Sequence, residues 1–228
     1  MKIKPICIIP ARAGSKRIKN KNIINFFGKP LIAYSILTAK KSKLFSKIIV
    51  STDSKKIKKI AERYGAECPY IRKKNLSNDK SSTKEVLLDA IQKIKSEKVP
   101  YHFLIYPTAP LITNNDLIKA FNLIKNKRAD ALLTVSEFIS HPLRALHFNK
   151  SYLKFKWPQY QKYNSQDLAN YYFDVGAFYI YKTSAIIDVK KFFLKKTIPY
   201  ILPIKKSVDL NTYEDLRLLK LFYDTKNK

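Results

Sequence analysis

PARAGSKRIKNKN, residues 10–22, sets five cations (Arg12, Lys16, Arg17, Lys19 and Lys21) directly behind a short apolar run, ICIIP at residues 6–10. The run reads as a buried strand, and the role of the cationic loop behind it decides what kind of sheet this chain builds. A strand, then a turn with small residues, then cations is how backbone N–H groups and ammonium groups converge on phosphate oxygens. The stretch is not a P-loop, because no glycine stands at the first Walker position before Gly14, and it is not GxGxxG. On these residues alone a phosphate loop and a solvated basic turn are equal readings.

The flanking sequence alternates strand and helix patterns. KPLIAYSILTAKKS (29–42) predicts a helix with Pro30 near its start. KIIVSTD (47–53) predicts a second strand, and SKKIKKIAERYG (54–65) a helix that stops at Gly65. AECPYIR (66–72) predicts a third strand, and STKEVLLDAIQKIKSE (82–97) a helix with a Ser/Thr start. YHFLIYP (101–107), TNNDLIKAFNLIKNK (113–127) and DALLTVSE (130–137) continue as strand, helix and strand. Residues 137–171 break the rhythm with aromatics and lysines of no clear period, and long irregular segments of this kind are usually functional. VGAFYIY (175–181) and YILPI (200–204) resume as strands, and NTYEDLRLLKLFYD (211–224) closes as a helix. This order predicts an α/β fold, a mostly parallel sheet with helices on both faces, in one domain over 1–228 with an inserted segment at about 137–171.

Position separates the two readings of the opening loop. In an open parallel sheet ligands bind beyond the carboxyl ends of the strands. The polar groups gather there: Arg12–Asn22 after strand one, Ser51–Asp53 after strand two, Arg72 with Asp79, Ser81 and Ser82 after strand three, and Tyr106–Pro110 after strand four. A phosphate loop predicts this arrangement, and scattered solvated charge does not.

Composition bounds the remaining choices. The 228 residues are 46% hydrophobic, enough for a packed core, and carry a formal net charge of +28. Such a charge attracts polyanions. Only seven of the 45 basic residues are arginine, however, and the lysines are spread through nearly every segment among many Ile and Asn. That spread fits a coding bias better than a nucleic-acid footprint, and no helix-turn-helix, RRM or zinc signature accompanies it. Cys7 and Cys68 have no metal-ligand spacing and make no disulfide framework, so a reduced, cytoplasmic setting is expected. The N-terminal apolar run is too short for a secretory signal, and no window approaches the roughly 18–20 apolar residues of a membrane span. His102, His141 and His147 share no spacing suited to a metal or a nucleophilic triad.

IIPARAGSKRIKNKN, FGKPLIAYSI, IIVSTDS, YGAECPYIR, LSNDKSST, YPTAPL, HPLRAL, SQDLANYYFDVGAFYI and VDLNTYEDL, taken in order, resemble the sugar-acid cytidylyltransferases nearly end to end. SQDL followed by YYFDVGAFY is more similar to the pseudaminic acid branch than to N-acetylneuraminate synthetases, although that branch often carries His where this chain has Phe173. The resemblance implies a Rossmann-like sheet of the nucleotide-diphospho-sugar transferase type with a protruding dimerisation segment. It implies a homodimer that transfers CMP from CTP to a nine-carbon keto sugar acid with Mg²⁺, without a specific nucleic acid or a membrane as partner. Arg12 and Lys21 match the family's catalytic phosphate-binding cations. Ala11, Gly14, Ser15, Lys16, Asn22, Arg72 and Ser82 fall where the family contacts the nucleotide. Thr108, Arg144, Gln166, Asp167, Tyr172 and Phe178 fall on the sugar side, where an aromatic at strand spacing is equally a core residue. The family closes with an Asp-x-Asp metal pair, whereas this chain reads Asp209-Leu210-Asn211. Alternating residues of an extended segment point the same way, so both oxygens could face one cation, the second of them neutral. Both residues could instead cap the last helix.

Overall fold

A computed structural model describes residues 3–188 and 193–226. The elements are β1 (Ile6–Pro10), β2 (Asn25–Phe26), β3 (Lys29–Pro30), α1 (Leu31–Ser42), β4 (Lys47–Ser51), α2 (Lys55–Arg63), α3 (Thr83–Lys93), β5 (Tyr101–Ile105) and α4 (Asn114–Asn126). They continue with β6 (Ala131–Glu137), β7 (Leu146–Asn149), β8 (Tyr152–Phe155), β9 (Tyr172–Lys182), α5 (Thr183–Ile187), β10 (Thr197–Ile201) and α6 (Tyr213–Lys226).

Six strands form one sheet in the order β10-β6-β9-β5-β1-β4. β1 pairs in parallel with β4 and β5, and β10 in parallel with β6, while β9 runs antiparallel to both of its neighbours. The expected mostly parallel sheet is therefore present. Its strands read as continuous apolar runs because both faces are covered. Cys7, Ile9, Phe103, Ile105 and Leu132 face one core with α1, α2 and α4. Ile6, Ile8, Leu104, Leu133 and Tyr181 face the other with α3 and α5. Alternate residues thus go to opposite faces, as the pleat requires.

One predicted strand is absent. Residues 66–72 make a single bridge, Ile49 to Glu67, beside β4, and Arg72 N donates to Thr52 O further along. Pro69 has no N–H to give between these points, so no continuous ladder forms. The irregular segment at 137–171 holds the β7–β8 hairpin and short 3-10 turns. A third apolar cluster ties the opening loop to the C-terminus, with Ile18 fully buried against Leu210, Leu216 and Leu219. That contact fixes the loop from inside while its cations stay at the surface.

Candidate active site

Because β1, β4, β5, β6 and β10 all run the same way, their carboxyl ends share one edge. The loop 11–22 leaves β1 on that edge. Ala11 N donates to Ser51 O at 2.9 Å, and Ala13 N to Asp53 Oδ1 at 2.8 Å. Asn22, nearly buried, donates from Nδ2 to Arg12 O at 2.8 Å. Ala11 and Asn22 are thus the loop's anchors. Gly14 is not held at a left-handed φ, and a Cβ there would meet nothing within 4 Å, which leaves open space over the turn.

A cavity of about 470 Å³ is lined by Arg12, Ser15, Lys16, Arg17, Lys21 and Asn22, with Asp79 and Tyr106–Thr108 opposite. Four cations therefore converge on one hollow at the carboxyl end of β1. Lys21 Nζ donates to Leu210 O at 2.7 Å, and burial pulls its pKa below that of an ordinary lysine, against the opposing pull of Asp209. Arg12 Nη2 and Lys16 Nζ meet the two oxygens of Asp79 at 2.6 and 2.7 Å. Those contacts hold the Asp79 carboxyl below the usual carboxylate range, the Lys16 hydrogen bond first and then the hydrogen bond and charge of Arg12.

Arg72 and Ser82 are placed otherwise. Arg72 is buried, its Nε 3.1 Å from Ser77 Oγ, and burial lowers its pKa while Asp53 opposes that shift. Ser82 is the N-cap of α3: its Oγ accepts from Glu85 N, and the Glu85 carboxylate accepts from Ser82 N, a complete capping box. Ser82 is thus engaged as a helix cap while it remains exposed at the surface.

The metal-side residues lie beyond β10, on the same edge. Thr108 lines both the cation pocket and a narrow crevice reaching Asp209. Asp209 and Asn211 do sit side by side, with Asn211 Nδ2 donating to Asp209 Oδ2 at 2.5 Å. Asn211 Oδ1, however, accepts from Arg17 Nη2 at 2.6 Å. The amide thus turns its nitrogen to Asp209 and its oxygen to a guanidinium, so in this arrangement Asn211 is no cation ligand. The next carboxylate, Asp215, is committed to capping α6 through Asn211 N, Thr212 N and Thr212 Oγ1. Among the described residues no group of three or more His, Cys, Asp or Glu could hold a metal. A divalent cation here would find one side-chain carboxylate, Asp209, and would have to draw its other ligands from phosphate and water.

The sugar-side candidates divide. Arg144 and Gln166 line a larger groove of about 850 Å³ within 137–171, with Trp157 and Tyr171. That groove shares no lining residue with the cation pocket, and Arg144 Nη1 is already bound to Tyr163 O at 2.7 Å. Of the two hollows, the smaller is the one that gathers four cations. Asp167 accepts from Asn164 Nδ2 at 3.0 Å, and Tyr172 opens β9 opposite Glu137, both exposed and outside the groove lining. Phe178 is fully buried, its ring centroid 5.8 Å from that of Tyr200 and tilted to it in the core. β9 is covered on both faces at this point, so Phe178 is no sugar contact.

Sequence reasoning placed Asp53, Asp79 and Tyr106 at strand ends without assigning them a role. It could not have found Leu210, whose contribution is a backbone carbonyl. His102 is structural, buried between Ser96 Oγ (2.9 Å) and Thr183 Oγ1 (2.8 Å). Both cysteines are buried and unpaired.

Comparison with known proteins gives this geometry its class. The cytidylyltransferase family matches residues 6–227, and the chain belongs to it. Within that family it is 38% identical over 224 residues to the pseudaminic acid cytidylyltransferase of Campylobacter jejuni subsp. jejuni serotype O:23/36, covering 97% of each chain. It is 33% identical over 231 residues to the N-acylneuraminate cytidylyltransferase of Escherichia coli O18:K1:H7, covering 100% of this chain and 54% of that one. A solved CMP:2-keto-3-deoxy-manno-octonic acid synthetase, complexed with CTP, shares the fold at a TM-score of 0.72 and 15% identity, over 98% of this chain and 99% of that one.

Proposed function

We propose that the protein transfers the cytidylyl group of CTP to pseudaminic acid and releases pyrophosphate. The convergence of Arg12, Lys16, Arg17 and Lys21 on one cavity beyond β1 carries the reading of a triphosphate site. The 38% identity to a pseudaminic acid cytidylyltransferase supports the choice of sugar. In the reaction the anomeric hydroxyl oxygen of the sugar bonds to the α-phosphorus. The bond from that phosphorus to the α–β bridging oxygen breaks, pyrophosphate takes the electron pair, and the hydroxyl proton passes to water. The protein's task is to position the reactants and to neutralise charge as it develops.

Lys21, fixed against Leu210 O, presents a partly desolvated cation that does not have to reorganise as charge builds. Arg12 and Lys16 receive the distal phosphates, with the backbone of Gly14 at the open side of the turn, while Ser15 N donates to Ala13 O. Asp209 would hold Mg²⁺, which when bound neutralises triphosphate charge. Arg17 holds Asn211 and so keeps the Asp209 segment in place.

A homodimer belongs to the same reading. The 137–171 segment exposes Ile139, Phe148, Tyr152 and Leu153, an apolar surface suited to a second copy. Its groove with Arg144 and Gln166 stands apart from the cation pocket, and a second copy would bring such a groove to the sugar. Unpaired cysteines suit a reducing, cytoplasmic compartment, and no helix among the described residues is long and apolar enough to cross a membrane.

The test is pyrophosphate release from CTP and Mg²⁺ with pseudaminic, N-acetylneuraminic and legionaminic acids in parallel. Release with pseudaminic acid at the highest kcat/KM supports the proposal. Preference for another of these sugars keeps the chemistry and overturns the substrate.

A further inference from the structure

Asp79 stands where the bound nucleotide would compete with it. It lies on the loop between the 3-10 turn at Lys74–Leu76 and α3, and it lines the cation pocket. Its two oxygens are divided between two cations: Oδ1 takes Arg12 Nη2 at 2.6 Å and Oδ2 takes Lys16 Nζ at 2.7 Å. The loop under it is built to present it. Asn78 Oδ1 accepts from Lys80 N at 2.8 Å and Ser81 N at 2.9 Å, and Asn78 Nδ2 donates to Asn75 O at 2.7 Å. A carboxylate bridging two cations has the charge and the paired oxygens of a phosphate group.

We infer that Asp79 is a positioning residue that acts through Arg12 and Lys16 as an internal anion: it gathers the two cations in the nucleotide-free pocket, yields them to the distal phosphates of the triphosphate, and takes them back as pyrophosphate leaves. The inference rests on the triphosphate reading of the pocket. Its physical basis is that like charges gathered in one hollow repel less when an anion lies between them, and that a second anion competes with the first for the same two cations. The contact is solvent-exposed on both sides, with Lys16 82% and Asp79 47% exposed, so the exchange is easily reversible. Pyrophosphate, which presents the same distal phosphates as CTP, is displaced by the same carboxylate. Asp79 therefore weakens nucleotide binding and speeds product release together.

The experiment is equilibrium titration of CTP, and of pyrophosphate, into wild type, Asp79→Asn and Asp79→Glu, without metal, alongside steady-state kinetics. The side chain is exposed, and D79E keeps its charge as a folding control. D79N is expected to bind both ligands about two- to fivefold tighter, the scale of losing a charged competitor at a solvent-exposed pair. KM for CTP falls and kcat falls with it as pyrophosphate release slows, while D79E stays within about twofold of wild type. Equal or weaker CTP binding by D79N, with wild type still binding CTP, overturns the role of Asp79 and leaves the proposed function intact. Absence of CTP binding in wild type and variants alike overturns both.

Discussion

Replacing Lys21 with Met removes one charge and keeps the length of the stem, so it isolates what the ammonium does. The group is half-buried, donates 2.7 Å to Leu210 O, and faces a cavity that also holds Arg12 and Lys16. Two unit charges about 4 Å apart interact by about 4 kcal/mol at the effective dielectric of a site near a protein surface. Removing one preorganised donor from a reacting centre costs about 2.7–4 kcal/mol in measured cases. Lys21→Met should therefore lower kcat/KM by about 10²–10³-fold, read as initial rates of pyrophosphate release, with an unchanged far-ultraviolet circular dichroism spectrum. Lys21→Arg should fall between the two, because it keeps the charge without the position. The pH profile adds a second reading of the same group. Burial lowers the Lys21 pKa, and the catalytic form is the charged one below that pKa, so the wild-type rate should decline at a lower alkaline pH than an ordinary lysine would give. A loss under about tenfold in folded Lys21→Met would refute the reasoning.

Two further perturbations separate local roles. Asn211→Asp puts a second carboxylate beside Asp209 and against Arg17, so the Mg²⁺ concentration for half-maximal rate should fall several-fold; an unchanged metal dependence would place residue 211 outside the metal's reach. His102 is fully buried, and desolvation pushes its pKa down to about 4. The native state then binds fewer protons than the unfolded chain between about pH 6.5 and 4, so stability is fully present above that window and lost as pH falls through it. The limiting loss is about 3 kcal/mol, measurable by urea unfolding from pH 7 to pH 4. His102→Gln should flatten the slope, and an equal slope in the variant would assign it to other groups.

The parts of this protein that were legible in the sequence are those fixed by local chemistry. The apolar run at 6–10 stops at cations because β1 ends at the ligand edge, and Ile18, an apolar residue among lysines, marks the point where the loop is pinned to the core. The helices carry their own signals: Ser82-Thr83-Lys84-Glu85 spells a capping box, and that signal, weighed alone, names Ser82 as a cap. Pro69 likewise carried the warning that residues 66–72 could not complete a strand. What stayed hidden depends on pairing between distant segments. Nothing local says that β9 inserts between β5 and β6, and that central place, with cores on both faces, is what buries Phe178. The side-chain orientation at Asn211 is set by Arg17, which lies 194 residues away in the chain, so spacing could bring Asn211 beside Asp209 but could not turn its oxygen. The separation of the Arg144–Gln166 groove from the cation pocket is likewise a fact of the folded chain that no local spacing shows.

The measurement that tests the central claim most directly is a crystal structure of the protein with CTP and Mg²⁺. The account predicts the triphosphate in the smaller cavity, its oxygens about 3 Å from Arg12 and Lys21, the ordinary reach of such hydrogen bonds, with Asp79 withdrawn from Arg12 and Lys16. Nucleotide seated instead in the larger groove between Arg144 and Gln166, with the cations beyond β1 still closed on Asp79, would contradict it.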